Sequence, residues 1–276
     1  MLSVNSLESN RLSAASLEPM HGPVFDAHMH VGEFPLFDVR LDRDGLVDLM
    51  EAHGIDACLV FHPDNGYVRE VVESVPGAYA LVWVNPRLAG YLEEAVRLLD
   101  HPKFLGVKLH PLLDGYHPND PIVHPLMEVV VERGLPVLVH CGHPIFTLPW
   151  SIEELVHSFP EARVILGHMG HGNIVYINAS IDVAERNPHV YLETSGMPMH
   201  TKIREAVERV GPDRVLYGSD APFHHPEVEI RKVQVSGLRP ELVERVLSRN
   251  GRAIFFGDER AQTPAHRVRH TEQGGR

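Results

Sequence analysis

Short apolar, β-branched runs recur along the chain at intervals of roughly one βα unit, with polar or amphipathic stretches between them. Eight runs stand out. They are "VFDAHMH" from Val24, "ACLVF" from Ala57, "YALVWVNP" from Tyr79 and "FLGVKLHP" from Phe104, then "PVLVHCG" from Pro136, "RVILGHMG" from Arg163, "VYLETSG" from Val190 and "RVLYGSD" from Arg214. The intervening "DRDGLVDLMEAHG", "GYLEEAVRLLDH", "PLMEVVVERG", "SIEELVHSF" and "TKIREAVERVG" carry helical periodicity. Ser151, with Glu154 three residues on, predicts a helix N-cap, and Gly134 and Gly211 sit where helices end. Strands that are nearly continuous in apolar residues are buried on both faces, which predicts a parallel sheet covered by helices. No G-x-G-x-x-G loop follows the first run, which disfavours an open dinucleotide-binding sheet. The pattern therefore predicts an α/β fold, a single-domain (β/α)8 TIM barrel over residues 23–257. Residues 1–22 read as a flexible N-terminal segment, and residues 258–276, poor in apolar side chains, as a disordered tail.

Composition narrows the function. With 276 residues, 43% hydrophobic and 22% charged, the chain has the make-up of an ordinary globular protein with room for a core. A formal net charge of -12 disfavours a nucleic-acid partner, because such binding rests on Lys and Arg neutralising phosphates. No run is long enough to span a bilayer, and the N-terminus lacks the pattern of a secretory signal, so a cytoplasmic protein without a membrane partner is expected. Cys58 and Cys141 are too few for a disulfide framework.

The 20 histidines change the picture, because they gather at the ends of the predicted strands. Simple alternation in the first strand puts Asp26, His28 and His30 on one face. Later strands end in Lys108 and His110, His140, His168 and Asp220, and in a barrel all of these meet at the C-terminal mouth. Imidazole nitrogens and a carboxylate oxygen are ligands for zinc and similar ions, so His28, His30, His140 and Asp220 would supply four donors around one ion. Asp26 is expected outside that set, orienting a ligand or binding backbone amides. His143, His171, His224 and His225 fall in loops just beyond strand ends and are candidate lining residues, with His62 and Arg87 ranked below them. His53, His101, His157 and His189 read as structural, Glu193 as a carboxylate that reaches the mouth or forms a buried ion pair, with the structural role favoured, and Trp83 and Phe223 as core or pocket wall.

The ordered set "DAHMH", "GVKLHP", "VLVHCG", "ILGHMG" and "YGSDAPF" resembles the amidohydrolase superfamily, in the amidohydrolase-related branch that includes the aminocarboxymuconate semialdehyde decarboxylase type. The resemblance runs from Val24 to about Phe256. It implies that His28, His30, His140 and Asp220 are the metal ligands of a mononuclear site. It also implies that His168 and Asp220 are catalytic, His168 orienting or deprotonating a metal-bound water and Asp220 doubling as proton acceptor. In binuclear members a lysine ending the fourth strand is carbamylated and bridges two ions. "GVKLHP" looks more like the mononuclear relatives, where Lys108 stays cationic and, with His110, His143, His171 and His224, holds the substrate. Zinc is the expected ion, with manganese and a binuclear site on carbamylated Lys108 as alternatives. The expected activity is hydrolysis of a C–N or C–O bond in a small amide or lactone by a metal-activated water. Non-oxidative decarboxylation of a small carboxylic acid is the alternative, since both reactions occur in this branch. A catalytically silent metal-binding scaffold would require a broken ligand position, and none is seen. Partners are thus a small-molecule substrate and, by analogy with the branch, a second copy in a homodimer.

Overall fold

A computed structural model of the protein describes residues 22–257. The expectations for the N-terminal segment before Gly22 and for the tail from Asp258 lie outside the described residues. After β1 (Val24–His30) the chain makes a short antiparallel hairpin, β2 (Gly32–Phe34) and β3 (Val39–Leu41). Seven more strands follow: β4 (Ile55–Phe61), β5 (Ala78–Trp83), β6 (Phe104–Leu109), β7 (Pro136–His140), β8 (Arg163–Gly167), β9 (Val190–Glu193) and β10 (Val215–Leu216). These pair in the parallel order β1-β4-β5-β6-β7-β8-β9-β10. The circle closes where Ala27 N donates to Tyr217 O at 3.1 Å, His30 N to Ala221 O at 2.7 Å, and Asp220 N to His28 O at 2.6 Å. The fold is a (β/α)8 TIM barrel in one domain.

Helices α1 (Arg43–His53), α2 (Asn65–Ser74), α3 (Tyr91–Leu99), α4 (Pro111–Asp114), α5 (His124–Glu132), α6 (Pro149–Ser158), α7 (Ile174–Arg186), α8 (His200–Val210) and α9 (Pro226–Gln234) connect the strands. After α10 (Pro240–Glu244) and one π-helical turn, α11 (Asn250–Phe256) brings Ile254 and Phe255 against the lower interior of the barrel. The strands' outward residues and the helices' apolar faces form one large core. The interior holds a second core in which Phe25, Leu59, Leu81, Leu138, Ile165 and Leu216 fill the lower layer.

Two local features depart from the sequence pattern. Helix α6 begins at Pro149 with Leu148 as its cap and no side-chain cap bond, so Ser151 lies inside the first turn instead of capping it. Proline is favoured there because its fixed φ suits the first turn and its missing N–H is not needed. The second departure is in β1, where Asp26 pairs with Cys58 but Met29 pairs with Val60, so Ala27 and His28 together oppose the single residue between. Ala27 therefore sits in the interior core beside Phe25, while Met29 joins the outer one. The single-face triplet of Asp26, His28 and His30 does not form. Asp26 shares its parity with Cys58, and its Oδ1 accepts from His28 N at 3.0 Å and Ser219 N at 2.9 Å. It stitches β1 to the end of β10 through backbone amides.

Candidate active site

The bulge turns His28 into the barrel at the same level as His30. His28 Nε2, His30 Nε2 and an Asp220 oxygen belong to a buried donor group whose atoms lie within 4.8 Å of one another. His28 Nε2 is 3.4 Å and His30 Nε2 3.1 Å from Asp220 Oδ1. The opposite nitrogen of His28 donates to Glu193 Oε2 at 2.7 Å, which fixes the ring and leaves the Nε2 lone pair as its acceptor atom, now facing Lys108 Nζ at 3.2 Å and available to a metal.

Glu193 is the organising carboxylate beneath the site. It is wholly buried and also accepts from His168 N at 3.2 Å, Ser195 N at 2.5 Å and Ser195 Oγ at 2.8 Å. Gly218 permits this arrangement, since a Cβ there would stand 2.4 Å from Glu193 Oε1 and 2.6 Å from His28 Cβ. Burial pushes the pKa values of His28, His30, His110, His140 and His168 well below the usual imidazole range, with neighbouring cationic and imidazole groups adding to the effect. They are thus held neutral, the form in which imidazole donates a lone pair to a metal. Burial raises Asp220 to about 7 against the pull of Lys108. Two buried neutral imidazoles, a carboxylate and a fixed ring orientation fit a divalent ion.

The remaining predicted residues divide by position. His140 is in neither compact donor group: its Nδ1 lies 3.0 Å from His168 Nε2 and its Nε2 2.9 Å from His143 Nδ1. His168 in turn contacts Ser195 Oγ through Nδ1 at 2.9 Å and belongs with His28 and Glu193 to a second donor group. His110 stacks between Trp83 and His140, at centroid distances of 5.2 and 4.1 Å. His143 lies 4.3 Å from His171, which is 6.3 Å from His224, ring to ring. His110, His140, His143, His168, His171 and His224 line one cavity of 230 Å³ with His30 and Asp220. His168, His171 and Asp220 adopt left-handed backbone, at φ 68°, 55° and 58°, a strained conformation that gathers at functional sites.

Lys108 departs from its expected role as a substrate contact. It is fully buried, does not line the cavity, and its Nζ sits 3.2 Å from His28 Nε2 and 4.7 Å from the Phe61 ring centroid. His225 caps α9 by accepting from Glu227 N, and His62 accepts from Asp64 N while its other nitrogen faces Glu33 O. Arg87 donates to the carbonyls of Asp114 and Gly115. None of these three lines the cavity. Sequence reasoning missed part of the wall of the cavity, Phe34 and Phe37 from the β2–β3 hairpin; Leu112 and Leu113 from α4 complete it. Phe223 joins them there and packs edge-on against both phenyl rings at 5.3 Å.

A TIM barrel whose mouth holds a buried histidine and carboxylate donor set above a cavity defines a metal-dependent enzyme of the barrel class. The amidohydrolase family model matches residues 25–257, and the chain belongs to that family. A curated relative, the gamma-resorcylate decarboxylase of Polaromonas sp. strain JS666, is 23% identical over an alignment covering 66% of this chain and 78% of the relative. A crystal structure of a dihydroxybenzoic acid decarboxylase from the same strain, with bound manganese and the inhibitor 2-nitroresorcinol, superposes at TM-score 0.68 with 16% identity, covering 85% of this chain and 97% of that one. A Pseudomonas putida protein described provisionally as a 2-pyrone-4,6-dicarboxylic acid hydrolase matches at TM-score 0.68 and 17% identity, over 86% of this chain and 99% of its own. Equal structural likeness to both kinds shows that the barrel's shape does not select the reaction. The expected hydrolase activity is corrected by the sequence relative and the manganese-bound neighbour, both decarboxylases. Among the described residues, no helix is long and apolar enough to cross a membrane.

Proposed function

We propose that the protein is a metal-dependent, non-oxidative decarboxylase of a small aromatic carboxylic acid. The observation that carries this reading is the cavity. Its donor set opens onto a wall that, apart from histidines and Asp220, is built of Phe34, Phe37, Phe223, Leu112 and Leu113. Loss of carbon dioxide moves the carboxylate's negative charge with its electron pair onto carbon, where a proton must quench it, and a water-poor apolar wall promotes the step by desolvating the starting carboxylate.

His28, His30 and Asp220 would hold the ion, with His140 beside them through His168. A bound divalent ion supplies positive charge that orients the carboxylate and stabilises charge on an adjacent oxygen. The residues do the remaining work. Glu193 keeps His28 Nδ1 occupied, and Ser195 holds His168 so that Nε2 faces His140. The carbon that loses carbon dioxide must take up one proton, and Asp220 and His168 are the acid-base groups that line the cavity next to it. The N and O donor set accepts manganese as well as zinc, and the manganese in the Polaromonas structure favours the former.

The test pairs metal analysis with product analysis. Purified protein is expected to carry about one divalent ion per chain, lost in His28→Ala and Asp220→Asn. The loaded protein should convert 2,6-dihydroxybenzoate or a related hydroxybenzoate to the corresponding phenol with matching release of carbon dioxide. Turnover of a lactone or amide with no carbon dioxide from any aromatic acid would overturn the reading.

A further inference from the structure

We propose that the cavity selects compact aromatic acids bearing a single carboxylate, and that Phe34, Phe37 and Phe223 are the specificity-determining residues that turn away a second one. The inference rests on the reading of an aromatic-acid substrate and adds a charge rule to it. Among the described residues, the lining consists of seven histidines, Asp220, three phenylalanines and two leucines, with no lysine or arginine. The cations around the cavity are committed elsewhere, Lys232, whose charge reaches His171, to Glu229 and to the Thr194 and Met197 carbonyls. Lys108 is sealed beneath His28. Arg87 is held by two backbone carbonyls, and Arg40 pairs with Glu33 and Asp42 outside the cavity.

One carboxylate is served by the donor set. Whatever else the substrate projects meets phenyl edges, leucine methyls and imidazole rings, beside the Asp220 carboxylate. Phe34 and Phe223 stand edge-on to His30 at 5.2 and 5.0 Å, and Phe37 stands edge-on to Phe223 at 5.3 Å. A second carboxylate would be desolvated there with no lysine or arginine to pair with it.

The experiment is calorimetric binding to the manganese-loaded full chain of three ligands: 2-hydroxybenzoate, 4-hydroxybenzene-1,3-dicarboxylate, and the latter's methyl ester at the added carboxylate. The diacid is expected to bind about 100-fold more weakly than the monoacid, and the ester within about tenfold of it, because the cost is charge and not bulk. Phe37→Arg, at a position that is 47% exposed and so tolerant of a long polar side chain, should raise the ratio of diacid to monoacid affinity about tenfold. Leu113→Arg provides the same charge from α4 at a second exposed position. Equal binding of monoacid and diacid, rejection of the ester as strongly as the diacid, or binding of none of the three would each overturn the charge rule. Carbon dioxide release is measured alongside: a monoacid that binds selectively but releases none sinks the decarboxylase reading and leaves the charge rule standing.

Discussion

The two halves of the barrel interior are built on the same strands and contain opposite chemistry. Below, Phe25, Leu59, Leu81, Leu138 and Ile165 pack an apolar plug closed by Ile254 and Phe255. Above, His28, Lys108, His168, Glu193 and Asp220 are almost as deeply buried, yet every one of them is polar. The lower layer gains from burial itself, whereas the upper one is tolerable because most of its polar atoms satisfy one another, His30 Nδ1 being an exception. The boundary between them is one residue wide at β1, where the doubled step at Ala27 and His28 ends the plug and begins the site.

The sharpest way to break this contrast is to remove Glu193. Glu193→Ala leaves His28 Nδ1, two backbone amides and the Ser195 hydroxyl without their acceptor. We expect a loss of about 3–5 kcal/mol in urea unfolding together with a 10–100-fold weaker hold on the metal, roughly the costs of breaking a buried polar pair and of losing an orienting partner. Unchanged stability would mean the upper layer does not depend on mutual satisfaction. In the lower layer, Leu138→Ala should cost about 2–5 kcal/mol through the cavity it leaves, while metal stoichiometry stays at the wild-type value. Coupled loss of the ion would show that the two layers are not separable. Gly218→Ala is smaller in volume and acts between the two, since its methyl would have to displace Glu193 Oε1 or the His28 Cβ. About 1–3 kcal/mol is expected from overpacking, with metal affinity reduced and partly recovered when Glu193 is shortened to Asp in the same chain.

What was legible in the sequence follows the same division. The eight strands were plain, because burial on both faces demands uninterrupted apolar runs, and β1, β6 and β7 begin where their runs begin. Most of the histidines that line the cavity were legible too, since a polar residue ending an apolar strand has few bland explanations. What escaped was anything set by register. Nothing in "FDAHMH" announces that two residues of β1 oppose one of β4, and plain alternation puts Asp26 on one face with His28. The position of Glu193 at the end of its strand is plain from the sequence, but its grip on His28 depends on strands far apart in the chain meeting at Gly218. The hairpin at 32–41 is short and interrupted by Pro35, so Phe34 and Phe37 gave no periodic signal of their own. Lys108 ends its strand as expected, but its depth relative to the cavity is a matter of barrel geometry.

Trp83 spans the boundary and supplies the mildest test. Its ring belongs to the interior core, stacks on His110 at the edge of the cavity, and donates its indole N–H to Asp114 Oδ2 at 3.1 Å. Burial raises the Asp114 carboxyl to about 6, against the lowering effect of that hydrogen bond. A carboxyl with a folded-state pKa above its ordinary value of 3.8 binds its proton more tightly when folded, so its contribution to stability falls as pH rises from about 4 to about 6 and is flat beyond. Tryptophan fluorescence should therefore titrate with a midpoint near 6 as the indole's acceptor gains its proton, and Asp114→Asn should abolish that transition. If the transition survives in Asp114→Asn and vanishes in Trp150→Phe, the exposed tryptophan at the mouth is the reporter, and Trp83 belongs wholly to the lower, unresponsive layer.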